Sequence, residues 1–292
     1  MKFMIKEKAY AKINLGLQVV SKREDGYHNL QTVMVPIDLY DSLIMSPSPH
    51  FILRSNWDLG PEENNLVFKV YSYMKEKYSK AEELKIYIKK SIPVGAGLGG
   101  GSADAAATIR GLNKYWKLNL TIHEMENIAF HLGSDIPFCI RNIQAIATGR
   151  GEKLTFLDSI PPYYIALVIP PYSSYTKEVF NNFDIIKENK RFQVLIDCLT
   201  NSKNELLKES LFNDLEAKVR MMKQGEKPSI TEIKTQLIQS GCIASSMSGS
   251  GSSVYGIFLN RKKKKKIKQD LTIAFPECKT HIIRILKKKK NT

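Results

Sequence analysis

The sequence predicts an α+β fold, because segments with the residue spacing of strands and of helices are mixed in both halves of the chain. In the first half, apolar and polar residues alternate over residues 10–20, whereas residues 64–78 carry apolar side chains at helical spacing. In the second half, residues 163–169 form the continuous apolar run of a buried strand. A chain of 292 residues can hold two domains. We place their boundary near Leu157, giving domains 1–157 and 158–292.

The first elements read as a pair of strands. Residues 10–20 place Ala11 to Val19 on one face at every second position, and Lys12 and Asn14 together on the other. A polar turn over residues 21–28 leads to an apolar segment over 30–39. This alternation predicts a strand with Lys12 and Asn14 on its polar side. Solvent exposure is the ordinary fate of such a lysine.

A strand, a glycine loop and a helix follow one another from residue 84 onward. Alternation over residues 84–92 predicts the strand, and five glycines then lead into the alanine-rich segment that begins at Ser102. We expect Ser102 to be the helix N-cap and Asp104 to lie in the first turn, where a negative charge suits the helix dipole. Free amides at a helix start, next to glycines, form a phosphate site. A turn without ligand is the alternative.

Two familiar phosphate motifs do not fit this glycine loop. The spacing Gly95-x-Gly97-x-x-Gly100 satisfies the dinucleotide fingerprint, but no acidic residue follows about 20 positions later. A P-loop requires a lysine before the serine or threonine, and here Gly101 precedes Ser102. The loop therefore predicts a phosphate site of another kind.

The remaining elements complete the pattern. Residues 123–131 predict a helix that ends near Gly133, and residues 149–151 a turn. Ser229 and Glu232 form a capping box for a helix that ends at Gly241. A second loop of small polar residues, 245–253, precedes a strand over 254–259.

Composition narrows the class of protein. No apolar run is long enough to span a bilayer and no signal peptide is evident, so we expect a cytoplasmic protein. The four cysteines are scattered without metal-ligand spacing and read as reduced thiols. Much of the net charge of +15 lies in residues 261–268 and 287–290, which read as solvated surface. A basic chain also favours polyanionic ligands, including nucleic acid or a phosphorylated small molecule.

Four residues outside the glycine loop could carry chemistry. Asp135 could accept a proton from a hydroxyl, although an aspartate two residues before Pro137 also fits a helix N-cap. Lys12 could keep a carboxylate ionised. Tyr27 and His28 offer a stacking surface next to a hydrogen-bonding ring, which suits a nucleobase. Tyr27 could equally cover the core at a turn.

The motifs taken together resemble a known family, the 4-diphosphocytidyl-2-C-methyl-D-erythritol kinases of the GHMP kinase superfamily. The matches follow family order over nearly the whole chain. They are residues 11–15 (AKINL), 25–32 (DGYHNLQT), the glycine loop, 132–138 (LGSDIPF) and 247–251 (MSGSG). The glycine loop alone indicates only the superfamily, whereas residues 11–15 and 25–28 are much more specific.

The resemblance implies a fold and a reaction. The fold would pair a first domain like ribosomal protein S5 domain 2 with a ferredoxin-like second domain. The reaction would be ATP-dependent phosphorylation of the erythritol 2-hydroxyl in the non-mevalonate route to isoprenoid precursors. Magnesium would bridge the phosphates, but the sequence assigns no metal ligand. Relatives often carry a second serine after Ser102 where this chain has Ala103.

The resemblance also implies roles for individual residues. Asp135 would be the base, and Lys12 would contact both that carboxylate and the substrate hydroxyl. Tyr27 and Phe180 would sandwich the cytosine, and His28 would bond its edge. The further substrate-site residues would be Asn14, Thr176, Ser248 and Gly249. The ATP-site residues would be Pro93, Gly95, Gly97, Leu98, Gly99, Gly100, Gly101, Ser102 and Ala103, with Asn65 on the adenine side.

Two other functions are weighed against this one. A related kinase could act on mevalonate, homoserine or a sugar, although Tyr27 and His28 argue for a cytidyl acceptor. A nucleic-acid-binding module would account for the charge, but it gives the glycine loop no role. It would show RNA affinity that depends strongly on salt.

Overall fold

The computed structural model describes residues 4–158, 160–181, 183 and 191–286. Within these residues the strands are β1 (Ile5–Lys22), β2 (His28–Pro47), β3 (Ile52–Ser55), β4 (Leu84–Lys89), β5 (Ala145–Gly149), β6 (Lys153–Phe156), β7 (Tyr164–Ile169), β8 (Phe212–Asn213), β9 (Ala244–Met247), β10 (Val254–Phe258) and β11 (Lys279–Arg284). The helices are α1 (Leu66–Lys77), α2 (Gly100–Tyr115), α3 (Ile122–Leu132), α4 (Ile136–Arg141), α5 (Thr176–Phe180), α6 (Arg191–Thr200), α7 (Leu207–Ser210), α8 (Glu216–Met222), α9 (Ile230–Gln239) and α10 (Lys264–Ala274).

The chain folds into two compact units, each assembled from separate stretches. The first comprises the described residues up to Ala11, Leu39–Pro93 and Gly99–Asn142. The second comprises Lys12–Asp38, Val94–Leu98 and the described residues from Ile143 onward. Both long strands, β1 and β2, contribute residues to each unit.

The first unit is a sheet with helices. Its strand order is β3–β4–β2–β1, with β2 and β4 antiparallel from Ser42 opposite Lys89 to Pro47 opposite Leu84. Helix α2 packs against α1 and α4, because its small side chains let the helices approach closely. The predicted apolar face is confirmed, since Ala105, Ala106, Ile109 and Leu112 are all fully buried.

The second unit contains an antiparallel sheet of order β11–β7–β10–β9. Helices α8, α9 and α10 contribute Val219, Ile233 and Leu271 to a core that also includes Val168 of β7. In this unit β1 also pairs in parallel with β8, and β2 pairs with β5. The mixture of strands and helices in both units confirms the α+β prediction.

Several local predictions hold and two are wrong. The capping box of Ser229 and Glu232 begins α9 as predicted, and α1 and α3 lie where the helical spacing placed them. Residues 11–19 of β1 are buried at every position, on the polar face of the strand as well as on the apolar face. The N-cap of α2 is Gly99 and not Ser102, and Asp104 lies beyond the first turn.

The structure also shows the surroundings of the first lysine-rich run and of the cysteines. Most side chains of residues 261–268 are exposed, as expected for a solvated lysine run. The run 287–290 lies outside the described residues. None of the four cysteines forms a disulfide in the structure. No helix in the described part of the chain is long and apolar enough to cross a membrane.

Candidate active site

The glycine loop adopts a backbone that glycine alone accommodates without strain. Gly95, Gly97 and Gly99 have φ angles of +67°, +73° and +69°, in the left-handed region that other residues rarely enter. Helix α2 begins immediately afterwards at Gly100. The amides of its first turn have no acceptor within the helix and carry partial positive charge, a geometry at Gly100, Gly101 and Ser102 that suits an anion.

Ala103 and Gly101 differ in how far they are open to a ligand. The N–H of Ala103 donates to Gly99 O at 2.9 Å, and the Ala103 side chain is buried, so this residue already belongs to the helix interior. Gly101, in contrast, is exposed, and a Cβ built there would meet only Leu66 Cδ1, at 3.8 Å. The open side of the α2 N-terminus is therefore at Gly101.

The start of the loop, residues 94–98, is fixed within the second unit by the loop before β10. A Cβ at Gly97 would collide with Ser248 O and lie 2.9 Å from Gly251 O, so only glycine fits there. Ser248 Oγ donates to Gly97 O at 3.0 Å, and Ser253 N donates to Ala96 O at 3.2 Å. The two loops of small residues predicted from the sequence therefore pack directly on each other.

Lys12 is buried, with only 5% of its surface exposed, so the alternative of a solvent-exposed lysine does not hold. Its ammonium donates to Asn14 Oδ1 at 2.7 Å, and its N–H donates to Leu98 O at 3.0 Å. Gly249, at φ +55°, approaches so closely that a Cβ there would lie 3.3 Å from Lys12 Nζ. The charge is thus held in a tight polar pocket formed by the strand and both loops.

Asn14 is held in one orientation by its neighbours. Its Nδ2 donates to Thr32 Oγ1 at 2.8 Å, and that hydroxyl donates to Gly16 O at 2.6 Å. Its backbone N–H donates to Ser248 Oγ at 3.3 Å. Because Thr32 takes the amide nitrogen, Asn14 presents its oxygen to the ammonium of Lys12.

Sequence reasoning missed a supporting residue in this arrangement. Asn213 donates from Nδ2 to Met247 O at 2.9 Å and to Gly249 O at 2.8 Å, so it fixes the turn that covers Lys12. The available signal was a polar pair, Asn213 and Asp214, directly after the apolar pair Leu211 and Phe212. Asp214 also accepts from Val19 N at 3.0 Å, which ties this segment to β1.

The predicted nucleobase residues lie together in part. The ring centroids of His28 and Phe180 are 5.2 Å apart, and Phe183 lies edge-on to His28 at 6.5 Å. Tyr27 is 55% exposed, so it does not cover the core, and the Arg150 guanidinium lies 5.0 Å from its ring centroid. Tyr27 therefore presents a ring to solvent, flanked by a cation.

His28 has an unused hydrogen-bonding atom. Its Nε2 is buried and has no partner among the residues that the structure describes. Burial, reinforced by the charge of Lys22, lowers the pKa of His28, so the ring is neutral near pH 7. A neutral buried ring nitrogen next to an aromatic side chain suits the polar edge of a planar heterocycle. Thr176, at the start of α5, bonds Ser250 Oγ at 2.9 Å in the same unit.

The candidate base lies in the first unit. Asp135 occupies the N-cap position of α4, and Pro137 follows in the first turn. Its side chain makes no capping hydrogen bond to this helix, so the alternative of a simple N-cap accounts for its position and not for its carboxylate. Asn65 does act as a cap, because its Oδ1 accepts from Val67 N at 2.9 Å at the start of α1.

Metal-binding side chains do not cluster in the described part of the chain. No group of three or more His, Cys, Asp or Glu side chains there could hold an ion. A magnesium ion often binds through substrate phosphates and one or two carboxylates. An ion bound mainly through substrate phosphates does not require such a cluster.

Comparison with known proteins gives matches over most of the chain. The family models "GHMP kinases N terminal domain" and "GHMP kinases C terminal" match residues 65–142 and 195–277. A 4-diphosphocytidyl-2-C-methyl-D-erythritol kinase from Caldanaerobacter subterraneus subsp. tengcongensis is 42% identical, covering 92% of this chain and 93% of that protein. The chain belongs to this family of GHMP kinases. A second member, from Exiguobacterium sibiricum, is 40% identical over 86% of this chain and 87% of its own length.

Solved structures of GHMP kinases agree on the fold. A 4-(cytidine 5'-diphospho)-2C-methyl-D-erythritol kinase matches with a TM-score of 0.79 at 27% identity, covering 97% of this chain and 100% of that one. A homoserine kinase from Cytophaga hutchinsonii matches with the same TM-score at 17% identity, over 99% and 96% of the two chains. The fold is therefore shared by kinases of different acceptors. The predicted boundary near Leu157 falls between the two family matches and stays a prediction.

Proposed function

We propose that this GHMP kinase transfers the γ-phosphoryl group of ATP to the 2-hydroxyl of 4-diphosphocytidyl-2-C-methyl-D-erythritol. One observation carries the proposal. In the second unit, the start of the glycine loop and the buried Lys12–Asn14 pair both pack on the turn at Ser248 and Gly249. The backbone proposed to bind phosphate and a buried cation on β1 are thereby fixed to one turn.

The phosphates of the donor, ATP, would be bound mainly by backbone amides. Phosphoryl transfer needs a cradle for the polyphosphate and little covalent chemistry from the protein. Gly95, Gly97 and Gly99 give the loop its left-handed backbone turns, and the first turn of α2 adds N–H groups that have no acceptor within the helix. ATP would enter as its magnesium complex, with the ion on the phosphates. Pro93 and Leu98 shape the loop, and Asn65 would lie on the adenine side.

The acceptor side divides two tasks between side chains. Asp135 would accept the proton of the attacking hydroxyl, the role that its motif at residues 132–138 implies. Lys12 would orient that hydroxyl and offset negative charge, because its ammonium is fixed by Asn14 and shielded from water. A shielded cation acts more strongly than an exposed one.

Recognition of the cytidyl group would use the aromatic residues. His28 Nε2 would bond the edge of cytosine, since it is buried without a partner in the described structure. Phe180 lies beside that ring, and Tyr27 exposes a face for stacking. Thr176 would contribute from the same unit. Mevalonate and homoserine carry no heterocycle and would leave these groups unused.

The decisive experiment offers the protein three acceptors in parallel. Purified protein with ATP and magnesium is incubated with the cytidyl substrate, mevalonate or homoserine, and products are followed by ³¹P NMR. We expect a new phosphomonoester only with the cytidyl substrate, with kcat/KM at least about 100-fold above that for the other two acceptors. An acceptor without a heterocycle leaves the buried polar groups of the site unpaired, which lowers kcat/KM. A preference for mevalonate or homoserine would refute the proposed acceptor. RNA affinity that falls steeply with salt, without ATP turnover, would favour the nucleic-acid alternative.

The expected cytoplasmic location stays a prediction.

A further inference from the structure

Three charged side chains are buried in the first unit and have no role in the proposed chemistry. They are Asp41 in β2, Lys90 just after β4 and Asp104 in α2, and each is no more than 5% exposed. Lys90 Nζ lies 2.5 Å from Asp41 Oδ2 and 2.6 Å from Asp104 Oδ2. We call these three residues the loop clamp.

The loop clamp places two carboxyl groups around one ammonium group. Burial raises the pKa of Asp104 to about 7 despite the opposing effect of Lys90. Burial would lower the pKa of Lys90, but the carboxylates of Asp104 and Asp41 outweigh it and raise that pKa. Apolar residues of similar volume often replace buried ion pairs without loss of stability. The cluster therefore calls for an explanation other than core stability.

The contacts of Asp41 show which part of the backbone is fixed. Its Oδ1 accepts the N–H of Ser91 and, at 2.8 Å, that of Ile92, while its Oδ2 bonds Lys90. Asp41 thus holds the short segment that leads into Pro93 and the glycine loop. A side chain that binds one ammonium and two successive amides fixes backbone direction and not only charge.

The other end of the loop is fixed by Asp104. Lys90 and Asp104 are 14 residues apart, and the whole glycine loop lies between them. The packing at this point is tight, since a Cβ on Gly100 would lie 3.0 Å from Ile92 Cγ2 and 3.5 Å from Lys90 Nζ. The Lys90–Asp104 ion pair therefore closes the base of the loop, where the free amides of α2 begin.

We propose that the loop clamp positions the glycine loop for the phosphates of ATP, with Lys90 as the positioning residue that joins its two ends. The inference rests on the proposed function, because it assumes that this loop binds the nucleotide. A loop whose ends are held loses less conformational freedom when a ligand orders it. The clamp would lower the cost of binding ATP without touching it.

The two carboxylates have unequal tasks. Asp41 has three partners, whereas Asp104 Oδ1 has none among the residues described. An asparagine at position 104 would keep one oxygen for Lys90 and leave no titratable group there. An alanine there would release the α2 end of the loop while Lys90 keeps Asp41 as its partner, so the fold should survive.

The test compares four variants by steady-state kinetics and by binding of a non-hydrolysable ATP analogue. Asp104→Ala and Lys90→Met should each raise the KM for ATP at least about tenfold, with less than about a twofold change in the KM for the cytidyl substrate. Asp104→Asn should recover most of the loss. Lys89→Met is the matched control, because Lys89 is adjacent and exposed, and it should behave as wild type.

Two results would overturn the inference. One is a folded Asp104→Ala protein with unchanged KM for ATP. The other is an equal rise in both KM values, which would indicate general loosening. If wild type fails to bind the ATP analogue, the proposed function is wrong and the kinetic test no longer applies. Hydrogen exchange of the free protein then tests whether the clamp holds the loop. The clamp predicts faster exchange at residues 91–102 in Asp104→Ala than in wild type, with α3 unchanged, and equal exchange would contradict it.

Discussion

Substitution of Gly97 by alanine tests the packing between the glycine loop and the loop before β10. Gly97 has φ +73°, and a Cβ there would overlap Ser248 O and lie 2.9 Å from Gly251 O and 3.0 Å from Gly251 N. The left-handed backbone alone costs alanine about 1–2 kcal/mol. Overpacking against backbone atoms that cannot rotate away adds about 1–3 kcal/mol. We therefore expect Gly97→Ala to lose about 2–5 kcal/mol of unfolding free energy.

Gly60 provides a control with the same backbone angle. It also has φ +73°, but a Cβ there would meet nothing within 4 Å. Gly60→Ala should therefore cost only the backbone term, about 1–2 kcal/mol, so the difference between the two variants measures the collision at Gly97 alone. Urea unfolding followed by circular dichroism gives both free energies.

The same pair separates stability from nucleotide binding. The collision displaces the loop, so Gly97→Ala should raise the KM for ATP at least about tenfold, whereas Gly60→Ala should leave it unchanged. The reasoning would be refuted if Gly97→Ala matched Gly60→Ala in both unfolding free energy and KM. In that case the loop would have room for a side chain, and its close packing on Ser248 would not set the phosphate site.

Three further changes have definite expected results. Tyr27→Ala should raise the KM for the cytidyl substrate about 5- to 150-fold, the equivalent of about 1–3 kcal/mol of stacking, and leave the KM for ATP unaltered. A KM for the cytidyl substrate equal to that of wild type would count against stacking. Lys12→Met should lower kcat at least about 100-fold with ATP affinity within threefold, measured on protein whose circular dichroism matches wild type. Because the folded-state pKa of Asp104 is raised to about 7, the native state keeps its proton while the unfolded chain loses it. The stability of wild type relative to Asp104→Asn should therefore fall as pH rises from about 4 to 7, and a constant difference would contradict the assignment.

Local signals in the sequence predicted much of the fold. The capping box at Ser229 and Glu232 needs only residues three apart, and it begins α9 as expected. The run of residues 163–169 was recognised as a strand because a strand buried on both faces is apolar throughout. Both features depend on neighbours in the chain, which a single sequence displays directly.

The errors have a common physical origin in long-range contacts. Lys12 alternates with apolar residues as an exposed lysine would, yet Asn14, Gly249 and the loop at Leu98 enclose it. Ser102 is a residue type that often caps helices. The N-cap of α2 is nevertheless Gly99, three residues earlier, which adopts a positive φ. Neither outcome is encoded in local spacing.

The loop clamp shows the same limit more clearly. Asp41 and Lys90 are 49 residues apart, and nothing in the intervening sequence pairs them. Asp104 was expected to complement a helix dipole, whereas it forms a buried ion pair beyond the first turn. Motif recognition found the residues proposed to touch substrate, and the residues proposed to position them required coordinates.

In the proposed mechanism, backbone amides bind ATP while the Asp135 side chain accepts the proton. Asp135→Asn tests this assignment of roles most directly. The measurement is a single-turnover rate of phosphoryl transfer to the cytidyl substrate, taken beside ATP-analogue affinity on the same protein. We predict affinity within about twofold of wild type and a transfer rate at least about 100-fold lower. A rate near that of wild type would contradict the assignment of Asp135 as the base.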